Sequence, residues 1–199
     1  MTAHAVLTAE LPGRPGVAGG ALRPATAEDA PAIHALIAKY QGEGRLLPRA
    51  EEEIARHADR FLVITDPAFA TSGRFGEAGA CHRSYGAASI GHVIGCAELA
   101  PLSHTVAEVR SLVVDEQARG LGFGRLLVDT IADEARLAGF RTVCAFTHDP
   151  AYFVRLGYSL VPHAWLPEKI VHDCAGCTLF RQCGQQAVRL QLAERGPRA

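Results

Sequence analysis

Val106-Ala-Glu-Val-Arg-Ser-Leu-Val-Val114, Asp115-Glu-Gln-Ala-Arg119-Gly120-Leu121-Gly122-Phe123-Gly124 and the run from Arg125 to Ile131 decide the fold between them. The opening run is rich in aliphatic and β-branched residues and reads as a strand. Phe123, Leu126, Leu127, Ile131, Ala135 and Ala138 recur at helical spacing, and Gly139 stops the run. A turn holding three glycines therefore joins a strand to the start of an amphipathic helix. Free N–H groups and the helix dipole favour an anion there, and glycines let a bulky phosphate approach the main chain. Spacing sorts the kinds of phosphate loop. A dinucleotide fingerprint begun at Gly120 wants glycine at its sixth place, which is Arg125, and the Gly-Lys-Ser/Thr of a P-loop is absent. A plain surface turn is the alternative.

Working outward, residues 1–20 are Ala-, Gly- and Pro-rich without periodicity and read as a mobile tail. A first strand is expected at Ala21 to Arg23. Thr26-Ala-Glu-Asp29 has the form of a capping box ahead of a helix carrying Ile33, Leu36, Ile37 and Tyr40. Ala50 to Ala58 reads as a second helix and Phe61 to Thr65 as a buried strand. Residues 66–88 read as a long loop. Strands are expected at Ile90 to Leu99 and Thr142 to Thr147, and a short helix at Pro150 to Leu156. The last strands are expected at Tyr158 to Val161 and Ala187 to Leu192. A cysteine-containing segment (165–186) lies between these two, and residues 193–199 form a polar tail.

The chain has 199 residues, of which 48% are hydrophobic and 21% charged, enough for one α/β domain (21–192) with its own core. Acidic residues number 21 and basic ones 20, a balance that argues against nucleic acid or an anionic membrane as partner. Lys39 and Lys169 are the two lysines, so arginine carries the cationic chemistry. No apolar run approaches a membrane span of roughly 18 residues, and no basic-then-apolar leader opens the chain, so a cytoplasmic location is expected.

Arg119-x-x-Gly122-x-Gly124, between a strand and an amphipathic helix, resembles the pyrophosphate-binding signature of the GCN5-related N-acetyltransferases. Tyr152-Phe-Val-Arg-Leu-Gly-Tyr158 is similar to that family's late helix-to-strand junction. The resemblance covers roughly residues 21 to 192. It implies a central mixed, mostly antiparallel sheet flanked by helices, with acetyl-CoA as co-substrate. Leu112, Val114, Arg119, Gly120, Leu121, Gly122, Phe123, Gly124 and Phe153 would then hold the cofactor. Leu46-Leu47-Pro48-Arg49, Ala107-Glu108-Val-Arg-Ser-Leu-Val113 and Leu166-Pro-Glu-Lys-Ile170 with Asp173-Cys174-Ala-Gly-Cys177 further resemble the short-form N-acetylglutamate synthases, which acetylate L-glutamate at the start of arginine biosynthesis. That resemblance implies a small amino acid as partner and leaves room for a homodimer.

The residues also speak for themselves. An α-ammonium must lose a proton before it attacks a thioester, and Glu108, in an apolar strand, is a candidate base; an outward-facing strand carboxylate is the alternative. Arg49 and Arg110 are candidate forks for an acceptor carboxylate, and Lys169 is a further cation. Arg110 shares a strand face with Glu108, which also allows a structural ion pair. Thr147, at a strand end, is a candidate acid for the leaving thiolate. Many relatives have a tyrosine for that task where this chain has Phe153. Cys174, Cys177 and Cys183 allow zinc or an iron–sulfur cluster, a reversible disulfide, or plain buried and exposed thiols; catalysis requires no metal. Acetylation of another amine (glutamine, a small metabolite or a protein N-terminus) and non-catalytic sensing of acyl-CoA are the competing functions.

Overall fold

The computed structural model describes residues 9–10, 21–41, 46–66, 92–177 and 182–192. The long-loop segment, Cys81 and the C-terminal tail lie outside them, the loop's first residue Asp66 excepted. Strands run in the spatial order β1-β2-β3-β4-β5-β6-β8-β7. They are β1 (Ala9–Glu10), β2 (Ala21–Pro24), β3 (Phe61–Asp66), β4 (His92–Pro101), β5 (Val106–Val114), β6 (Thr142–Thr147), β7 (Ser159–Val161) and β8 (Gln186–Gln191). β1 falls inside the stretch read as a tail. Its two residues pair with Leu22 and Ala21, an arrangement that the edge of β2 imposes and that their own side chains do not announce.

All neighbours are antiparallel except β5 and β6, which run parallel. α1 (Ala30–Gln41) and α2 (Glu51–Arg56) cover one face of the sheet, where Ile33, Ile37, Ile54, Phe61, Val63, Cys96 and Val113 make one apolar cluster. α3 (Phe123–Leu137) and α4 (Pro150–Arg155) cover the other, through Leu127, Ile131 and Phe153, joined by Tyr158 from the turn after α4, against Leu62, Ile64, Ile94 and Val109. The capping box holds: the Asp29 carboxylate accepts the Thr26 N–H at 2.8 Å and is clamped by Arg23 at 2.7 Å.

Two irregularities shape the centre. On β5, Ser111 and Leu112 oppose the single residue Ala97 of β4, because Cys96 faces Val113 while Glu98 faces Arg110. Ser111 takes φ +50°, the kind of kink a β-bulge introduces. The parallel pairing of β5 with β6 spans only Val106–Glu108 against Thr142–Cys144. Beyond Glu108 the strands part, and a cleft opens between Val109–Leu112 and Ala145–Thr147.

After β7, where the sequence shows only a cysteine-bearing connection, the chain forms a short helix α5 (Pro167–Lys169). It continues into a π-helical turn, Ile170–Cys174, closed by the Ala175 N–H on the Ile170 carbonyl at 2.9 Å.

Candidate functional site

Two adjoining cavities occupy the cleft. The first, about 450 Å³, is bounded by the 46–49 segment, the splayed parts of β5 and β6, and Lys169 and Asp173 from α5 and the π turn. The second, about 420 Å³, lies at the start of α3. Leu112 and Tyr152 line both.

Gly120 and Gly122 sit at φ +78° and +88°, left-handed values that a side chain adopts only with strain. Gly122 starts α3, and its carbonyl accepts the Leu126 N–H at 3.0 Å. The N–H groups of Phe123, Gly124 and Arg125 are left without intrahelical acceptors at the second cavity. Arg119 and Arg125 add positive charge to the same wall. This is a cradle for an anion such as a diphosphate. At Gly124 closeness is required: a Cβ there would stand 2.6 Å from the Tyr152 hydroxyl.

The loop is tied to α1. Asp115, 2% exposed, accepts Lys39 at 2.8 Å, the Tyr40 hydroxyl at 3.3 Å and the Gln117 N–H at 3.1 Å. Burial would push the Asp115 carboxyl up, but these donors outweigh it and hold it below the usual range. The Tyr40 hydroxyl in turn accepts the Glu116 N–H at 2.7 Å, and its ring carries the Arg119 guanidinium at 4.7 Å. Arg119 also donates to the Val114 carbonyl at 3.1 Å, so its direction is fixed from two sides.

In the first cavity a chain of alternating charges runs across the sheet. Arg49 donates to Glu98 at 2.7 Å and meets Glu53 at 3.0 Å. Glu98 lies opposite Arg110 on β4 and β5, and Arg110 Nε reaches Glu108 at 2.5 Å. Lys169 donates to both oxygens of Glu108 at 2.8 Å and pairs with Asp173 at 2.8 Å. Asp173 also accepts Arg110 and contacts His172 at 2.7 Å. Burial works against the Arg110 charge, yet Glu108 and Asp173 prevail and raise its pKa. Burial would likewise raise Asp173, but Lys169, His172 and Arg110 hold it below the ordinary range.

The structure thus brings Glu108, Arg110, Lys169, Arg49, Thr147 and Phe153 to one cavity. Leu112, Val114, Arg119, Gly120, Gly122, Phe123 and Gly124 line the other. Leu121, between the two left-handed glycines, packs its side chain against the apolar cluster under α3. Arg49 is not a free fork either. Its terminal nitrogens face Glu98 and Glu53, and its buried Nε–H has no acceptor. Thr147 Oγ1 accepts the Asp149 N–H at 3.0 Å and keeps its own hydrogen to donate.

Four participants escaped the sequence reading. Glu98 and Asp173 come into place through strand register and the π turn, which leave no local pattern. Arg125 follows directly on the third glycine, and its position in the motif was the available signal. Tyr152 carries a buried hydroxyl without a partner between the two cavities.

Among the described residues no three His, Cys, Asp or Glu side chains form a metal-binding group, and the zinc and iron–sulfur readings find no support there. Cys177 and Cys183 are exposed, Cys174 is half-buried, and all three are free thiols. No described helix is long and apolar enough to cross a membrane.

A cleft beside a bulged strand, with an anion cradle at the next helix, gives one site with room for an anionic group and, next to it, for a second small molecule. The acetyltransferase (GNAT) family model matches residues 33–158, and the chain belongs to that family of N-acetyltransferases. It is 32% identical over 167 residues to an uncharacterised N-acetyltransferase of Chlorobaculum tepidum, covering 84% of this chain and 93% of that one. It is 27% identical to an amino-acid acetyltransferase of Neisseria meningitidis over 74% of this chain but only 29% of that longer protein. The N-acetylglutamate synthase of Neisseria gonorrhoeae, solved with coenzyme A and N-acetyl-glutamate, superposes with a TM-score of 0.69. That match has 24% identity and covers 88% of this chain and 35% of that one, a likeness of fold.

Proposed function

We propose that this chain transfers the acetyl group of acetyl-CoA to the α-amine of an amino acid, with L-glutamate as the acceptor. The observation that carries the reading is Glu108. It is a carboxylate 3% exposed, at the point where β5 and β6 part, between two cations and facing the cavity that adjoins the anion cradle. The similarity to amino-acid acetyltransferases supports the acceptor class.

The cradle at α3, with Arg119 and Arg125, would take the coenzyme diphosphate. The pantetheine arm would follow Val114 and Leu112, leading the thioester toward Glu108. Past Glu108 the edge of β5 has lost its β6 partner, so its backbone groups are available to the arm and to the oxyanion. Glu108 takes a proton from the acceptor ammonium, directly or through water. The freed amine attacks the thioester carbonyl; the nitrogen of the tetrahedral intermediate gives up its second proton, which passes to the sulfur, and collapse releases the free thiol. Two hydroxyls on the cavity wall, Thr147 and Tyr152, would stabilise the departing sulfur; burial raises the Tyr152 phenol. Arg110, Lys169 and the open Nε–H of Arg49 would bind the acceptor's carboxylates.

One observation favours a second acceptor. Arg49, Arg110 and Lys169 already face Glu53, Glu98, Glu108 and Asp173, so the site is charge-compensated, and glutamine brings one negative charge fewer than glutamate. Free thiol release from acetyl-CoA, followed with a panel of amino acids, tests the reading. Turnover with glutamate or glutamine is expected. No turnover with either refutes the assignment and leaves the other amines and the sensor.

A further inference from the structure

The cations of the acceptor cavity are all engaged, but their carboxylate partners differ in how firmly they are held. Glu98 and Glu108 rise from neighbouring strands in the body of the sheet and are 1% and 3% exposed. Glu53 meets Arg49 alone, at the rim. Asp173 is different. Its side chain is 30% exposed, and it stands on a π turn that follows a helix of three residues. It bridges Arg110 and Lys169, the same two cations that flank Glu108. A carboxylate between a guanidinium and an ammonium, beside the base, occupies the position an amino acid's own carboxylate needs if its amine is to face Glu108. His172, 52% exposed and 2.7 Å from Asp173, offers a partner on the solvent side.

We propose that Asp173 is a specificity-determining residue: its carboxylate occupies the acceptor-carboxylate subsite between Arg110 and Lys169, and the acceptor's carboxylate displaces it on binding. The inference rests on the amino-acid acceptor reading above. Its energetic content is a competition. The acceptor replaces an internal ion pair with its own, so wild-type affinity is lower than the two cations alone would give. Acceptors without a carboxylate leave Asp173 in place and find the subsite filled. Asp173 also divides the two cations with Glu108. While it remains, Arg110 and Lys169 serve two carboxylates each, and an incoming carboxylate restores that arrangement.

The test compares wild type with Asp173→Asn. Binding of glutarate, a dicarboxylate with no amine, is measured by calorimetry in the presence of coenzyme A. KM and kcat are measured for the best amino acid of the panel. We expect glutarate affinity to rise and KM to fall, each about tenfold (about 1.4 kcal/mol). Glutarate affinity unchanged or weakened, or no glutarate binding to either protein, overturns the proposal. A purely structural Asp173 would instead lower kcat and thermal stability without tightening glutarate. Asp173→Ser, run alongside, removes the carboxylate with a different side chain and keeps the comparison readable if the amide variant folds poorly. Absence of turnover by wild type with every carboxylate-bearing amino acid would refute the acceptor reading, and glutarate binding would still decide the role of Asp173.

Discussion

Replacing Arg49 by alanine tests how far this side chain is structural. Its guanidinium donates at 2.7 Å to Glu98, a carboxylate 1% exposed in the centre of the sheet. Removing one partner of a buried ion pair costs about 3–5 kcal/mol, because the other charge stays in a low-dielectric site. Arg110 lies opposite Glu98 and supplies part of the missing charge, so the low end, about 3 kcal/mol, is expected. For a chain of this size that corresponds to a Tm lower by about 6–12 °C. The sharper test is the double variant. With Glu98→Gln in the Arg49→Ala background no naked carboxylate remains, and most of the lost Tm should return. Thermal unfolding followed by circular dichroism measures all three proteins. A single Arg49→Ala variant that melts within about 2 °C of wild type, less than 1 kcal/mol, would refute the reasoning and return Arg49 to a purely substrate-binding role.

Three further outcomes follow from particular contacts. Gly124→Ala places a Cβ 2.6 Å from the Tyr152 hydroxyl and narrows the anion cradle. The KM for acetyl-CoA should rise by an order of magnitude (about 1.4 kcal/mol) or more, and an unchanged value would detach the cradle from the coenzyme. Asp29, Asp115 and Asp173 would each be raised by burial, but their cations and hydrogen-bond donors hold them below the ordinary carboxylate range. A depressed folded-state pKa gives stability that is present above the unfolded value and lost as pH falls through the folded one. Tm should therefore be flat from about pH 7 to 5 and fall below about pH 4, and less steeply in Asp115→Asn; a Tm independent of pH down to about 3 contradicts this. Among the thiols, Cys177 and Cys183 are exposed, whereas Cys96 and Cys144 are buried and burial pushes their pKa upward. Iodoacetamide should modify the first two in the native protein and the latter two only after unfolding, as peptide mass mapping would show.

Much of this architecture was legible because local chemistry and tertiary outcome agree. Val106–Val114 and Thr142–Thr147 are β-branched runs bounded by turn residues, and each forms the strand expected. The glycine turn and the apolar stripe of α3 announce both the cradle and its helix. What was not legible is long-range. Ala9–Glu10 becomes a strand only because β2 offers an open edge. The π turn has no periodicity of its own, so Asp173 was visible as a letter in a motif and not as a partner of Arg110. Glu98 faces Arg110 through a register set by the bulge at Ser111 and Leu112, and no pattern in β4 foretells it. Tyr152 enters the site because α4 turns the ring toward Gly124, beside the Phe153 that packs into the core.

Glu108→Gln keeps the size of the side chain but removes its charge, one of the two oxygens that face Lys169 and Arg110, and its ability to take a proton. The most direct measurement is kcat of this variant against wild type, with the best amino-acid acceptor and saturating acetyl-CoA. The account predicts a loss of about a hundred- to ten-thousand-fold, with coenzyme affinity unchanged. Equal kcat in the two proteins would contradict it and show that the carboxylate where β5 and β6 part is no base.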